Sequence, residues 1–269
     1  MPTKLGQNFL RDETVLNNIV KAANLSANDF VLEIGPGEGV LTEKLARQAG
    51  KVVAVEIDKD LAEKLQNKFK NIKNQNIINA DILKINLPKV LEQNNFVNLD
   101  YKIVANIPYY ITSPIIRLFL ETVYLPKEML LMVQKEVAER ICAKVGNLSI
   151  LAVSVQYYAN AELLFFVPKK AFFPVPEVDS AVIKIVLKAK REEKEFTEKF
   201  FRVVRAGFSA KRKTLVNNLS SSLRLDKAFV KEILKQIGIY SNQRAQELSI
   251  EDWKKLTLKL KMENCLVEK

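Results

Sequence analysis

The sequence predicts an α/β protein in which a seven-stranded sheet is followed by a small all-helical domain. From about residue 29, short β-rich runs alternate with amphipathic stretches, the pattern of parallel strands joined by crossover helices. After the charge-rich segment KAKREEKE at residues 188–195, strand-like runs disappear and helical periodicity continues to the end. These two observations predict one domain over residues 1–190 and a second over residues 191–269.

The elements of the sheet follow in order along the first domain. A helix is predicted near residues 12–23, and further helices around residues 38–49, 59–70, 113–121 and 135–143. Strands are predicted at residues 30–34, 52–57, 76–79, 101–105, 129–134, 161–167 and 180–187. The last two strands are separated by the proline-punctuated AFFPVPEVD, which cannot form a helical crossover. We therefore expect an antiparallel pair to complete the sheet.

Charge is distributed unevenly along the chain. The net charge is +11, from 42 Lys and Arg against 31 Asp and Glu. Residues 188–269 hold 20 of the basic and 11 of the acidic groups, a net +9, which leaves +2 for the preceding 187 residues. This excess predicts a polyanionic partner for the second domain, with a solvated basic surface as the alternative.

Two features of the composition exclude whole classes of chemistry. The chain contains no histidine, which excludes His-based triads, His general bases and His-containing metal sites. Its two cysteines, Cys142 and Cys265, cannot supply a four-thiolate site, so we expect no metal. Few cysteines, and no apolar run of signal-peptide or membrane-spanning length, predict a cytoplasmic location without membrane association.

The run VLEIGPGEGVLTEKL places Gly35, Gly37 and Gly39 between the first strand and the next helix. Their G-x-G-x-G spacing is one residue shorter than the dinucleotide fingerprint. Glu56 ends the second strand, where a carboxylate can accept both hydroxyls of a ribose, and Asp81 follows the third, where it can accept from an adenine amino group. The alternative is a plain tight turn with carboxylates as helix N-caps. Together these residues predict an adenosine-containing ligand, and the spacing favours S-adenosylmethionine over NAD.

The run Asn106-Ile107-Pro108-Tyr109 follows the fourth strand, at the carboxyl edge where open α/β sheets bind ligands. An exocyclic adenine nitrogen is a poor nucleophile because its lone pair is delocalised into the ring. The Asn106 carboxamide and the Ile107 carbonyl, held rigid by Pro108, can accept its two N–H groups and favour a tetrahedral nitrogen. Tyr109 can stack on the base. The alternative is a proline turn after a strand, with a core aromatic.

These motifs and several others resemble the ribosomal RNA adenine N6,N6-dimethyltransferase family, in order over most of the chain. The matching runs are LGQNFL at 5–10, EIGPGEG at 33–39, EID at 56–58, AD at 80–81, NIPYYITSPII at 106–116, VQKEVAERI at 133–141, FFPVPEVDSAVI at 172–183 and FSAKRKTLVNNL at 208–219. Pro114, VQKEVAERI, NLSILAVSVQYY and DSAVI resemble the small-subunit branch rather than the erythromycin-resistance enzymes that act on 23S rRNA.

The resemblance implies a Rossmann-like class I S-adenosylmethionine-dependent methyltransferase fold. It also implies a reaction, the dimethylation of N6 on two adjacent adenosines in the 3′-terminal hairpin of 16S rRNA during ribosome biogenesis. The partner it implies is 16S rRNA in the small (30S) ribosomal subunit, and we expect the chain to act as a monomer.

Site residues can also be carried over from the resemblance. Asn8 and Leu10 match positions that contact the cofactor in the family, and this assignment depends on the resemblance alone. Gly35, Glu56, Asp81 and Asn106 match the family's other cofactor-contacting positions and agree with the analysis above. Phe173 matches an aromatic that packs against the target base opposite Tyr109. A core aromatic beside a proline turn is the alternative for Phe173.

Six basic residues with no acid among them are the candidates for RNA contact. They are Lys199, Arg202, Arg205, Lys211, Arg212 and Lys213. Phosphate contacts of this kind set affinity and salt dependence rather than the choice of adenosine. Their alternative is a solvated helix face.

Two other functions use the same residues differently. The protein could act mainly as an RNA-binding assembly or transcription factor that keeps the methyltransferase fold as a scaffold, although the intact glycines, Glu56, Asp81 and NIPY oppose this. It could also be a DNA adenine methyltransferase, which shares the amine chemistry.

Overall fold

The computed structural model describes residues 8–263 and 265–266, so residues 5–7 of the LGQNFL motif lie outside the described residues. The chain divides into two compact units. The first comprises the described residues up to Glu139 together with Ala159–Ala189. The second comprises Arg140–Tyr158 and the described residues from Lys190 onwards.

The strands lie in the first unit. In the described part of the chain they are β1 Phe9–Leu10, β2 Phe30–Ile34, β3 Lys51–Glu56, β4 Gln75–Asn79, β5 Tyr101–Asn106, β6 Glu128–Gln134, β7 Ala159–Val167, β8 Phe172–Phe173 and β9 Ser180–Leu187. The helices that accompany them are α1 Glu13–Ala23, α2 Val40–Ala46, α3 Lys59–Lys68, α4 Leu87–Gln93, α5 Thr112–Glu121 and α6 Lys135–Ile141, the last of which runs into the second unit.

The main sheet has the strand order β4-β3-β2-β5-β6-β9-β7. The strands from β4 to β6 pair in parallel, and β9 pairs antiparallel with both β6 and β7. This arrangement confirms the predicted seven-stranded sheet with an antiparallel last pair. Two features of the strand arrangement were not predicted. The last strand in the sequence inserts beside β6, and β1 and β8 form a separate two-stranded pair.

The central strands are apolar because helices cover both faces of a parallel sheet. Val31 and Leu32 of β2 and Val52 and Val53 of β3 are fully buried. A short turn joins β2 to the start of α2, so the carboxyl end of the strand opens directly onto that turn. The fold therefore presents the ends of β2, β3, β4 and β5 at one edge of the sheet.

The second unit is helical. Its helices in the described residues are α7 Ile150–Tyr158, α8 Lys194–Gly207, α9 Leu215–Leu223, α10 Lys227–Gln236 and α11 Ile250–Met262. Across the described chain, no helix combines the length and apolar character needed to span a membrane.

The segment Arg140–Tyr158 belongs to the second unit, whereas the predicted boundary places it in residues 1–190. The reason is the apolar character of α7. Val153 and Tyr157 are buried in the core of the second unit with Phe200 and Trp253. The Tyr157 and Phe200 ring centroids are 4.2 Å apart. Helix α7 therefore belongs to the second unit because its side chains pack there, although it lies between strands β6 and β7 in the sequence.

Candidate active site

A cavity of about 360 Å³ lies at the carboxyl ends of β2, β3 and β5 and beside the residues that follow β4. This volume is in the range of small-molecule sites. The predicted site residues that line it are Asn8, Leu10, Gly35, Gly37, Glu56, Asp81, Asn106, Ile107, Pro108 and Tyr109. The described residues contain no group of three or more His, Cys, Asp or Glu side chains placed to hold a metal ion.

The glycine turn after β2 is bonded to the end of β3. The backbone N–H of Gly35 donates to the Val55 carbonyl at 2.9 Å, and that of Gly37 donates to Glu56 Oε2 at 3.0 Å. Gly37 has φ +58°, and a Cβ there would lie 3.1 Å from the Phe9 ring. Glycine is therefore required both by the backbone conformation and by the close approach of the N-terminal strand.

Glu56 is a buried carboxylate with remaining acceptor capacity. It is 1% exposed, and its Oε1 accepts the N–H of Asp58 at 2.9 Å. Burial raises the pKa of Glu56 above its ordinary value, against the hydrogen bonds from Asp58 and Gly37. Because two carboxylate oxygens offer about four acceptor sites, Glu56 keeps acceptor capacity for a hydroxyl donor beyond its backbone hydrogen bonds. Asp58, not Glu56, is the N-cap of α3, so the N-cap alternative for Glu56 is wrong.

Asp81 opens a turn at the side of the cavity. Its Oδ1 accepts the N–H of Leu83 at 3.0 Å, and its Oδ2 lies 3.4 Å from Lys84 Nζ. The next helix, α4, begins at Leu87 with Asn86 as its N-cap. The helix N-cap alternative for Asp81 is therefore wrong too, and its partly exposed carboxylate lines the cavity.

Glu33, the acidic residue near the end of β2 in the EIGPGEG motif, also lines the cavity. It is 1% exposed, and its Oε2 has no hydrogen-bond partner in the described part of the chain. Burial raises the pKa of Glu33 from 4.5 to about 8; the Thr42 hydroxyl opposes this shift and the nearby charge of Glu56 adds to it. The signal in the sequence is an acid within the apolar run VLEI, one residue before the strand ends. A buried carboxyl oxygen without a partner is one that a polar ligand group could satisfy.

The Asn106-Ile107-Pro108-Tyr109 run turns the chain across the end of the sheet. Asn106 is the last residue of β5, and the N–H of Ile107 still donates to the Met132 carbonyl of β6 at 3.2 Å. A single turn of 3₁₀ helix follows, closed by the N–H of Ile111 on the Pro108 carbonyl at 3.1 Å. The predicted proline turn thus forms, and it holds all four residues of the run at the cavity.

Tyr109 is half-buried at the cavity rather than enclosed in the core. Its hydroxyl lies 2.7 Å from Ser180 Oγ, on the first residue of β9. Burial raises the pKa of Tyr109 above its ordinary value, and the hydrogen bond to Ser180 opposes this shift. The core-aromatic alternative for Tyr109 is therefore wrong, although its stacking role stays a prediction.

Phe173 is not among the residues that line the cavity. It is 67% exposed, so the core-aromatic alternative for Phe173 is wrong as well. In the short β1–β8 pair it is opposite Phe9, while its neighbour Phe172 is buried and lines the cavity. Phe173 therefore lies next to the cavity in the strand pairing, and packing against a target base stays a prediction for it.

The predicted RNA-contacting residues lie on α8 and in the turn that follows it. Four are exposed, namely Arg205, Lys211, Arg212 and Lys213. Arg202 is partly buried, and Lys199 Nζ lies 2.6 Å from Glu195 Oε1, so Lys199 is already ion-paired within the helix. On the opposite face of α8, Phe200, Val203 and Val204 are buried.

A buried asparagine holds the basic turn between α8 and α9. Asn218 is 2% exposed, and its Nδ2 donates to the carbonyls of Gly207 at 2.6 Å and Ala210 at 3.0 Å. The N–H of Lys213 donates to the Ala210 carbonyl at 3.1 Å. These bonds fix the backbone from which Lys211, Arg212 and Lys213 project. Asn218 lies within the FSAKRKTLVNNL motif, but its structural role could not be recognised from spacing.

The parallel strand order, the glycine turn and the acidic strand ends define a class I methyltransferase fold. A family model described as ribosomal RNA adenine dimethylase matches residues 1–261. The chain therefore belongs to the ribosomal RNA adenine dimethylase family.

Curated relatives and solved structures agree with this membership. The chain is 47% identical over 255 residues to Ribosomal RNA small subunit methyltransferase A of Dehalococcoides mccartyi, covering 94% of this chain and 86% of the relative. It is 46% identical over 252 residues to the protein of the same name in Fusobacterium nucleatum, covering 92% and 93%. A dimethyladenosine transferase from Plasmodium falciparum superimposes with a TM-score of 0.81 at 28% identity, covering 95% and 98% of the two chains. The 23S rRNA methyltransferase ErmE gives a TM-score of 0.76 at 29% identity, covering 94% and 100%.

Proposed function

We propose that this protein uses S-adenosylmethionine to dimethylate N6 of two adjacent adenosines in the 3′-terminal hairpin of 16S rRNA within the small ribosomal subunit. The observation that carries the proposal is the cavity that brings the Asn106–Tyr109 turn to the acidic carboxyl ends of the sheet. Identities of 46 and 47% to relatives named for the small subunit, against 29% to ErmE, support the small-subunit target.

The residues of the cavity fit S-adenosylmethionine. Glu56 retains acceptor capacity for the ribose hydroxyls, Asp81 can accept from the adenine amino group, and the unpartnered Oε2 of Glu33 offers a further buried polar atom. Asn8 and Leu10 lie at the same cavity and would contact the cofactor from the N-terminal strand. When bound, S-adenosylmethionine supplies an electrophilic methyl group.

The chain's own contribution to the chemistry is positioning and hydrogen-bond acceptance. The Asn106 carboxamide oxygen and the Ile107 carbonyl accept the N–H groups of the adenine amine and draw its nitrogen towards a nucleophilic geometry. The turn after Pro108 presents Tyr109, whose ring stacks on the base and keeps it in place. The amine becomes strongly acidic once it is alkylated, so its proton leaves to water and the absence of histidine from the sequence is no obstacle.

RNA is held through the exposed basic residues of the second unit. Arg205, Lys211, Arg212 and Lys213 are exposed and would contact phosphates, whereas Lys199 would contribute less because it is ion-paired with Glu195. Such contacts place the substrate without reading its sequence. The choice of adenosine then depends on the shape of the ribosomal RNA and on which loop base can reach the Tyr109 side of the cavity.

The proposal is tested by supplying labelled S-adenosylmethionine with three acceptors in parallel: unmethylated small ribosomal subunits, large subunits, and duplex DNA. We expect label in the small-subunit RNA, mapping to its 3′-terminal hairpin. Label confined to large-subunit RNA would contradict the target, and label confined to DNA would contradict the substrate class.

A further inference from the structure

The Tyr109 hydroxyl is joined to a residue 71 positions away in the sequence. Ser180 Oγ lies 2.7 Å from it, which is a strong hydrogen-bond distance for two hydroxyl groups. Ser180 is fully buried and does not line the cavity, whereas Tyr109 does. The hydroxyl of Ser180 is therefore linked to the cavity through the tyrosine.

Ser180 is held in place more firmly than Tyr109. As the first residue of β9, it is paired in register with both β6 and β7. The preceding residue, Asp179, accepts the N–H of Lys135 on its carbonyl at 3.0 Å and the N–H of Lys169 on its carboxylate at 2.9 Å. Tyr109, in contrast, begins a single turn of 3₁₀ helix. The hydrogen bond thus connects a residue in a short turn to a rigid point of the sheet.

We propose that Ser180 is a positioning residue for methyl transfer, whose hydroxyl fixes the plane of the Tyr109 ring on which the target adenine stacks. The inference rests on the proposed function, because it needs a base at Tyr109. If the Tyr109 ring could turn about its side-chain torsions, the adenine stacked on it would move and its amine would no longer be in line with the methyl group. Small misplacements of reacting groups lower the rate strongly. Cofactor binding would change little, since Ser180 is separate from Glu56 and Asp81.

The test compares Ser180→Ala, Tyr109→Phe and the double variant in single-turnover methylation of unmethylated small subunits. Each single variant should lower the rate about tenfold, the scale of one lost hydrogen bond to a positioned group. The double variant should be no slower than the slower single variant, because both changes remove the same bond. The Kd for S-adenosylmethionine should stay within about twofold of wild type in all three.

A matched control is Tyr101→Phe, which removes a phenol hydrogen bond at the other end of β5. Tyr101 is fully buried, and its hydroxyl donates to the Tyr124 carbonyl at 2.8 Å. This variant should lose stability but keep the wild-type transfer rate. A fall in rate equal to that of Ser180→Ala would show a general effect of a weakened sheet and would overturn the inference.

Two further results would also overturn it. One is a wild-type rate in Ser180→Ala; the other is a double variant whose loss is the product of the two single losses. If circular dichroism shows that Ser180→Ala does not fold, Tyr109→Phe decides, with a tenfold loss supporting the inference and a wild-type rate overturning it. The wild-type rate on small subunits tests the proposed function, whereas the ratio of variant to wild-type rates tests Ser180, so the two failures are distinguishable.

Discussion

The two ends of the main sheet treat buried charge in opposite ways. At the amino end, Lys102 is 7% exposed and its Nζ lies 3.4 Å from Asp29 and 3.6 Å from Glu128. The same ammonium donates to the carbonyls of Ala23 and Asn24 at 3.1 and 2.9 Å. Burial acts to raise the pKa of Asp29, but hydrogen bonds from Ser26 and the charge of Lys102 outweigh it, so the pKa is lowered.

At the carboxyl end, Glu33 and Glu56 are at least as deeply buried but have no such partner. Burial is the largest cause of the shift for both groups and raises both pKa values, and no lysine or arginine is among the main causes of either shift. The protein thus neutralises charge at the amino end, whereas the two buried carboxyl groups at the carboxyl end have pKa values that burial raises. We infer that the charge cluster at the amino end stabilises the fold, and we expect the ligand to bind at the carboxyl end.

The largest expected effect is on transfer at the carboxyl end. Asn106→Ala removes one of the two acceptors for the adenine amine, and we expect at least a few hundredfold loss of single-turnover rate. The Kd for S-adenosylmethionine, measured by calorimetry, should change far less, because the ribose and adenine acceptors remain. Unchanged turnover in this variant would contradict the acceptor mechanism.

The next effect is on stability at the amino end. Lys102→Met removes the cation from a buried cluster, while Glu128 keeps its ion pair with Lys184 at 2.8 Å and Asp29 keeps its hydrogen bonds from Ser26. The loss in free energy of unfolding should therefore be about 2 kcal/mol, less than for a fully broken buried pair. Urea unfolding followed by circular dichroism measures this loss. At a temperature where the variant is folded, its affinity for S-adenosylmethionine should equal that of wild type. If Lys102→Met bound S-adenosylmethionine more weakly but kept the wild-type free energy of unfolding, the assignment of stability to the amino end would be wrong.

The pH dependence of stability separates the two ends further. Glu33 has a folded pKa of about 8, above its ordinary 4.5, so its stabilising contribution is complete below about pH 4.5 and is lost as the pH rises to about 8. Between these limits the free energy of unfolding of wild type should fall by about 1 kcal/mol per pH unit relative to that of Glu33→Gln, whose amide cannot ionise. Urea unfolding at pH 5.5, 6.5 and 7.5 tests this.

The exposed Glu63→Gln on α3 is the control for removing one carboxylate, and it should follow the wild-type pH profile. Parallel profiles for wild type and Glu33→Gln would show that Glu33 is ionised in the folded protein across this range, and the contrast between the two sheet ends would then fail for this residue.

The smallest effect concerns RNA affinity in the second unit. Replacing Lys211, Arg212 and Lys213 with Gln should weaken binding to small subunits about tenfold at physiological salt. The slope of the logarithm of the binding constant against the logarithm of the salt concentration should become shallower by about two to three. Filter binding over a salt series measures both. Replacing Lys227, Lys231 and Lys235 with Gln, three exposed lysines of α10, changes the net charge equally and is the control. Equal losses in the two triple variants would show that net charge, not the basic turn, governs binding.

The parallel half of the sheet was predictable because its strands are apolar and well separated by helices. The strand at residues 30–34 was predicted with its observed bounds, and Glu56 and Asn106 could be placed together because carboxyl ends of parallel strands share an edge. The β1–β8 pair could not be predicted, since two residues per strand carry no periodicity. Sequence alternation also says nothing about β9 inserting between β6 and β7.

The parts of the site that sequence missed depend on tertiary packing. Ser180 reaches Tyr109 only because β9 inserts beside β6, and Phe173 is turned out to solvent by its place in the β8 strand. Helix α7 is apolar nearly all round, so no amphipathic face marked it as part of the second unit. Glu33 was visible as an acid in an apolar run, but its unpartnered oxygen became evident only from the structure.

The most direct test of the account is to count methyl groups on the 3′-terminal hairpin of 16S rRNA. Unmethylated small subunits would be treated with excess S-adenosylmethionine and either wild-type protein or Asn106→Ala, and the hairpin fragment would be weighed by mass spectrometry. We expect four added methyl groups, two on each adjacent adenosine, with wild type, and almost none with the variant over the same reaction time. An unmodified hairpin with wild type, or four methyl groups with Asn106→Ala, would contradict it.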